Sequence, residues 1–514
     1  MASYTSKSEI DTSLSTLRAT FKSNRTKDIR YRKWQLKQLY WLVADNIDAF
    51  IAALHADLNR PEFESRFTIK GLLEEIVYHI DHVESWAKDE YPSAGFIFGK
   101  LGSTVIRQEP RGVAFIIGAW NFPDSLTLHP LASAIAAGCC ALVKPSEIAA
   151  HSADLMCRLA AKYLDPEAYI FVSGAGPETQ YMLTHKFDHV FFTGSTPIAR
   201  HVVAATAKHL TPTVLELGGQ GPAIVTKTAN IDLAAKRIAA AKFMNAGQIC
   251  LSVNHTFVHP EVYDQFLARI KHWNDTFSTN DEMCTIINER NATRLTTMLE
   301  NTTGQVHTSG NPATTASDNP KKLFPTIVSN VTITDSLLSE ELFGPILPII
   351  RADEIEACKT ISSSPHPLAI YIFSHHAPTI EYILQNTLSG GVTINDTLLH
   401  AGAPESPFGG VGDSGSGAYH GKYGFDTFTH KRTVVRLPDY LDKVLGFRYP
   451  PYDIKKAGLA LRIGKPGFKR GEGLEDQRVG SGWSGLAVGS VVVAVAGVGV
   501  AAWTGRLGRV LGDL

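Results

Sequence analysis

Cys250 lies in the segment FMNAGQICLS, and Glu216 lies 34 residues earlier in VLELGGQGP. A thiol can attack an electrophilic carbon, and a carboxylate can activate the water that releases the product. The pair therefore suits two-step covalent chemistry. Each residue also has a plainer reading. A single cysteine in an apolar setting is commonly a small buried hydrophobe, and a glutamate before Gly-Gly is commonly a turn or cap residue. Other segments shift the balance. IGAWNFP places Asn121 just after an apolar run, where its amide can donate to a developing oxyanion or simply close a turn before Pro123. LVKPSE places Lys144 and Glu147 after the next such run, a cation and a carboxylate able to grip ribose hydroxyls. FFTGSTPIAR puts Gly194 and Ser195 at a strand-to-helix turn. Pro197 suits the first helical turn there, whose free N–H groups fit a pyrophosphate. EELFGPILP supplies Glu341 and Phe343, and SPFGGVG supplies Phe408.

These residues need elements to hold them. Over residues 8–60 the apolar positions Leu36, Leu39, Tyr40, Val43, Ile47 and Ile51 recur at three- and four-residue spacing, which predicts helix. A second helical run, 62–90, ends before Pro92. Short apolar runs then alternate with helical stretches: GVAFIIGAW, ALVKPSE with a helix over 150–163, AYIFVSG and HVFFTGS. That alternation predicts parallel strands joined by right-handed crossovers. Ligands in such sheets bind at the carboxyl ends of the strands, where Asn121, Lys144 and Gly194 fall. After TVLELGG the alternation restarts with AIVTKTANID, a helix near 232–246, and TFVHPEVY leading into a helix near 261–277. Residues 308–322 are poor in apolar side chains and predict an exposed loop.

At 514 residues the chain is too long for one ordinary core. Apolar content of 44% and charged content of 19% describe a well-buried globular protein, and a net charge of -1 gives no electrostatic reason to bind nucleic acid. Six cysteines without a CxxC pair or a zinc-like His/Cys cluster argue against a disulfide framework and against a structural metal. The polar N-terminus lacks the apolar stretch of an export signal.

The C-terminal end differs in kind. From Trp483 to Trp503 there is no charged residue, and a helix of that length spans ~30 Å, the thickness of a bilayer's hydrocarbon. A Trp at each end fits the membrane interface. Residues 442–480 hold nine Lys/Arg and five Asp/Glu, whereas only Arg506 and Arg509 follow Trp503 as cations. This predicts a single-pass anchor, 483–503, behind a Pro/Gly-rich tether, 441–482, with the catalytic part on the cytosolic face of an organelle membrane such as the endoplasmic reticulum.

Taken in order and spacing, these segments closely resemble the aldehyde dehydrogenase superfamily from about residue 30 to 450. KHLTPTVLELGG, KFMNAGQIC, SGGVTIND, FGGVGDSGSGAYHGK and RYPPY make the chain most similar to its class 3 branch, which includes fatty aldehyde dehydrogenase. The resemblance implies an α/β fold with a Rossmann-like NAD-binding domain (1–88 and 108–215), an α/β catalytic domain (216–411) and a small β bridging element (89–107 and 412–440) that forms a homodimer. It implies that Cys250 attacks the aldehyde carbonyl. Asn121 and the Cys250 N–H would hold the tetrahedral oxygen, and Glu216 would activate the hydrolytic water. Lys144 and Glu147 would bind the adenosine ribose, Gly194 and Ser195 the pyrophosphate, Glu341 with Phe343 the nicotinamide ribose, and Phe408 the substrate. NAD is the implied cofactor, with NADP possible, because a carboxylate at 147 repels a 2′-phosphate.

Four positions depart from the family pattern. Cys139 stands where Asn is usual, Pro197 and Ala199 stand where glycines are usual, and Gln220 replaces a frequent Lys. Ala199 is expected to narrow the space beside the cofactor. A membrane anchor points to a hydrophobic substrate, first a long-chain fatty aldehyde and second an apocarotenal. An acylating enzyme that hands the thioester to coenzyme A is a rival, as is a non-catalytic scaffold. A hydrolytic base at 216 argues against the first, and the complete set of site residues against the second.

Overall fold

The computed structural model describes residues 4–279, 282–309, 319–403, 405–455, 457–458, 466 and 469–477. The expected anchor at 483–503 lies outside them, as does most of the expected loop at 308–322. Among the described residues no helix is long and apolar enough to cross a membrane.

Two compact units result, 1–88 with 108–430, and 89–107 with the described residues from 431 onward. The larger opens with four helices, Lys7–Lys22, Ile29–Ala44, Ile47–Leu58 and Glu62–Trp86. The first begins at a capping box in which Ser6 and Glu9 satisfy each other's free N–H groups. Of the positions that the spacing singled out, Leu36, Leu39 and Val43 are buried and Tyr40, Ile47 and Ile51 partly so, and Ile10, Leu14, Leu17 and Leu42 are buried with them.

The first sheet has the strand order Gly415–Ser416, Thr213–Leu217, His189–Gly194, Val113–Ile117, Cys140–Lys144, Tyr169–Phe171. All pairs are parallel except the first. Val113–Ile117 and Cys140–Lys144 are buried at every position, as strands covered on both faces must be. The chain adds strands on one side of Val113–Ile117 and then returns to its other side. That reversal opens a crevice at the carboxyl ends of the strands, where Asn121 and Gly194 lie.

The second sheet runs Gly391–Ile394, Ala369–Phe373, Pro222–Val225, His255–Val258, Ile346–Arg351, Thr326–Ser329, Gln305–Thr308. Only the last is antiparallel. Alternate residues feed two cores: Ala223, Val225 and Tyr371 enter one, Ile224, Ile370 and Ile372 the other. The chain passes from Leu217 through Gly218–Gly221 straight into Pro222, so Glu216 stands where one sheet hands over to the next.

Two boundaries differ from expectation. The helix expected over 232–246 spans Ile231–Phe243, because Asn245, Ala246 and Gly247 all take positive φ (49°, 51° and 70°), which no α-helix accommodates. Residues 412–430, expected in the bridging element, belong to the larger unit: Gly415 pairs with Glu216, and the helix Gly421–Thr427 buries Phe425 in the first core. The smaller unit holds a π-helical turn, Phe96–Leu101, and residues 103–107 and 431–436 of the paired strands Ser103–Pro110 and Thr429–Arg436.

Burial pushes three imidazoles, His129, His189 and His255, down to about 3. Their unfolded value is near 6.5, so between those limits the unfolded chain binds more protons and stability falls with falling pH. The thermal midpoint should therefore drop steeply as pH falls from about 6.5 toward 3. His189→Leu should flatten that slope, since both His189 nitrogens lack partners.

Candidate active site

Cys250 follows the left-handed turn Asn245–Gly247. Two of those residues carry side chains, a strained arrangement that survives only where the surroundings over-determine it. They do so here. Asn245 donates through Nδ2 to the carbonyls of Asn121 (3.1 Å) and Gln248 (3.0 Å), and its own N–H donates to Glu64 Oε2 (2.9 Å). Gln248 Nε2 donates to the carbonyls of Asn245 and Thr285, and Gln248 Oε1 accepts from Ile287 N–H. Tyr371 Oη donates to Leu251 O at 2.5 Å. The thiol is thus fixed by backbone on both sides.

Cys250 is partly accessible. Burial pushes its thiol up to about 12, with the charges of Glu341 and Glu216 adding to that rise, while the N–H groups of Cys250 and Leu251 favour the thiolate. Both carboxylates therefore lie within electrostatic reach of the sulfur. In this state those N–H groups face the sulfur, including the one expected to hold the oxyanion.

Glu216 is 4% exposed, and neither carboxyl oxygen has a hydrogen-bond partner. Burial raises its pKa well above the usual carboxylate value. An unpartnered buried carboxyl costs several kcal/mol and is unusual in a merely structural position. Asn121 donates one amide hydrogen to Gln248 O at 3.1 Å, which leaves its second hydrogen for another acceptor. Its carbonyl accepts from the fully buried Arg60, whose guanidinium also donates to Asn245 Oδ1 (2.8 Å) and lies over the Phe122 ring at 4.5 Å. Arg60, Glu64, Asn245 and Gln248 thus tie the Asn121 loop to the nucleophile loop. Sequence reading missed them. Arg60 and Glu64 sit 181 or more residues from Asn245 and belong to no shared motif, whereas Asn245 and Gln248 stood inside a quoted motif without an evident task.

Glu341 reaches in from the segment after Leu338 and lies against Gly218, where a Cβ would come within 2.4 Å and 2.5 Å of its oxygens. Burial pushes it up to about 7. Phe343, at φ 53°, meets Trp120 edge-on with centroids 5.4 Å apart, which joins this turn to the Asn121 loop. Phe408 pairs with Tyr419 through an isolated bridge and stacks on His420 at 5.3 Å. Phe122, Met244, Cys250, Leu398, Ala401 and Phe408 are partly buried apolar side chains that pack against one and the same core.

Lys144, Glu147, Gly194 and Ser195 lie at or just after the carboxyl ends of two interior strands of the first sheet, Cys140–Lys144 and His189–Gly194. Lys144 Nζ is buried and donates to Glu147 Oε2 (2.7 Å) and Gly174 O (2.9 Å). At Gly194 a Cβ would lie 2.6 Å from the Phe192 ring, so only glycine fits. Ser195 starts the helix Thr196–Ala207 without a side-chain cap, which leaves the first-turn N–H groups of Thr196 and Ile198 available to an anion. A carboxylate beside a buried amine, an uncapped helix start and a buried Glu341 fit the two riboses and the pyrophosphate of a dinucleotide. Among the described residues no cluster of side chains could hold a metal ion.

The departures from family pattern find places. Ala199 is 2% exposed and part of the first core, so its methyl packs inward instead of narrowing the cofactor cleft. Cys139 is buried with Sγ against Phe428 O at 3.4 Å, and Gln220 Nε2 donates to Leu338 O at 2.9 Å.

A sequence model of the aldehyde dehydrogenase family matches residues 2–434. The chain belongs to the aldehyde dehydrogenase family. It is 37% identical to the dimeric NADP-preferring aldehyde dehydrogenase of Rattus norvegicus, over 87% of this chain and 99% of the relative. It is 38% identical to the rat aldehyde dehydrogenase family 3 member A2, over 85% and 90%. The beta-apo-4'-carotenal oxygenase of Neurospora crassa is 38% identical over 89% and 86%. Among solved structures, the substrate-bound AldH of Staphylococcus aureus superposes with a TM-score of 0.80 at 33% identity, covering 85% of this chain and 98% of its own. This aldehyde dehydrogenase therefore matches the class 3 resemblance read from its motifs.

Proposed function

We propose that this aldehyde dehydrogenase oxidises a hydrophobic, long-chain aldehyde to its carboxylic acid with NAD, NADP being an alternative, through a covalent Cys250 intermediate. The observation that carries the reading is Glu216, a buried carboxyl with no partner, whose charge reaches the Cys250 sulfur. When bound, the nicotinamide dinucleotide accepts the hydride that leaves the substrate carbon. Lys144 and Glu147 would hold its adenosine ribose, the helix start at Ser195 its pyrophosphate, and Glu341 its other ribose.

The residues of the chain do the rest. The Cys250 thiol gives up its proton to water, Sγ adds to the aldehyde carbon, and the carbonyl oxygen takes up the negative charge. The free hydrogen of the Asn121 amide stabilises that charge. Loss of the hydride leaves a thioester on Cys250. Glu216 then removes a proton from water as the water oxygen bonds to the thioester carbon, and the carbon–sulfur bond breaks to release the acid. A buried carboxyl with a raised pKa is a stronger base than an exposed one. That same base favours hydrolysis over transfer to coenzyme A.

The apolar side chains that share a core with Cys250, and the uncharged stretch 483–503, support a lipid-like substrate met at a membrane, with the catalytic part on the cytosolic side. The rat relative named NADP-preferring supports NADP as a second cofactor, and its description as dimeric supports a homodimer. The Neurospora crassa relative, named for an apocarotenal, favours a second reading in which the aldehyde is a polyene. A substrate profile in detergent micelles tests both. A C16 aldehyde should give at least ~10-fold higher kcat/KM than a short water-soluble aldehyde, about 1.4 kcal/mol of added apolar burial. The comparison is repeated on a chain ending near Gly480. Preference for short aldehydes would overturn the lipid reading, and an apocarotenal surpassing the C16 aldehyde would select the second.

A further inference from the structure

Lys242 is a buried amine that the mechanism above does not use. It sits on the helix Ile231–Phe243, eight residues before the nucleophile, and is 3% exposed. Its Nζ donates to Gly344 O at 2.9 Å. That same carbonyl presses against the left-handed Gly247, where a Cβ would come within 2.4 Å of it. One oxygen is therefore held between the amine and the nucleophile loop, and it ends the turn that carries Glu341 and Phe343.

The turn needs holding. Phe343 has φ 53°, a conformation that a residue with a bulky side chain keeps only under external constraint. Glu341 itself is buried over Gly218. The Gly219 N–H, Lys242 and Arg294 favour its charge, whereas Glu340 opposes it. Burial pushes Lys242 down to about 7, and Glu341 pulls it back up. Amine and carboxyl thus depend on each other to remain ionised. The other titratable neighbours are His255, which Lys242 disfavours as a cation, and Cys250, which Glu341 disfavours as a thiolate.

We propose that Lys242 is a positioning residue for Glu341: it pins the 341–344 turn through the Gly344 carbonyl and supplies the buried counter-charge that presents Glu341 to the dinucleotide as a carboxylate. This rests on the reading of Glu341 as a ribose-binding group. A lysine placed there only to fill space would make neither the bond nor the charge matter to cofactor affinity.

Equilibrium binding of NAD to the full-length protein, read by quenching of tryptophan fluorescence, tests it. The proteins compared are the wild type, Lys242→Met, Lys242→Gln, Glu341→Gln and the Lys242→Met/Glu341→Gln double variant. Glu341→Gln should weaken NAD by ~10-fold, the loss of a hydrogen bond to a charged group. Lys242→Met should weaken it by a similar factor and raise the KM for NAD more than it lowers kcat. Lys242→Gln, which can still donate to Gly344 O but carries no charge, should fall between. The double variant should bind no worse than Glu341→Gln, because Lys242 acts through that residue. Thermal midpoints confirm folding, and Lys242→Gln carries the test if Lys242→Met does not fold. Unchanged NAD affinity in both Lys242 variants, or losses that multiply in the double variant, would overturn the proposal. If Glu341→Gln alone binds NAD like the wild type, the ribose assignment itself falls, and the role of Lys242 with it.

Discussion

Cys250→Ser should lower NADH production by about 10³-fold or more while leaving the NAD dissociation constant unchanged. The serine hydroxyl is a far weaker nucleophile and gives up its proton far less readily than a thiol. The backbone around position 250 is fixed by side-chain hydrogen bonds from Asn245, Gln248 and Tyr371 to main-chain carbonyls, bonds that do not involve the sulfur, so the fold should persist. Steady-state NADH absorbance together with fluorescence-detected NAD binding makes the check. Appreciable turnover in the serine variant would remove Cys250 as the nucleophile.

Glu216→Gln should separate the two halves of the reaction. The first turnover should still release NADH, since Glu216 is asked only to serve hydrolysis. Steady-state turnover should then fall by roughly 10² to 10⁴-fold, the usual worth of a positioned base. Rapid mixing should show a burst of NADH, and mass spectrometry of the quenched protein should show the acyl group on Cys250. The pH dependence adds a signed test. Burial raises the Glu216 pKa, so the carboxyl takes up its proton at higher pH than usual and hydrolysis should be lost as pH falls through that raised value. The glutamine variant should lose this limb of the profile. A variant with normal turnover and no acyl adduct would show that another group activates the water.

Much of this was legible in the sequence because the chemistry sits in short contiguous runs. FFTGSTPIAR encodes a strand, its glycine exit and a helix start in ten residues, and the structure has a strand ending at Gly194 and a helix starting at Thr196. Local pattern also sufficed for the helix Ala150–Tyr163 and for the fully buried strands. It failed where conformation depends on distant partners. Nothing in KFMNAGQIC announces three consecutive left-handed residues. They are enforced by Arg60, Glu64 and Asn121, which arrive from elsewhere in the chain. Residues 412–430 read as part of a bridging element, yet Gly415 pairs with Glu216. A two-residue strand has too few side chains to declare its neighbour.

The sequence by itself determined the family and the α/β alternation and named the candidate reacting groups, because residue type and local spacing carry that information without regard to distant contacts. Only the tertiary structure decided that Glu216 stays without a partner, that Asn121 keeps one hydrogen free, that the methyl of Ala199 turns into the core, and that Lys242 underlies Glu341. Each of these is a matter of which groups from remote segments share one small volume. Burial and charge there are properties of the packed neighbourhood, and no single stretch of chain contains them.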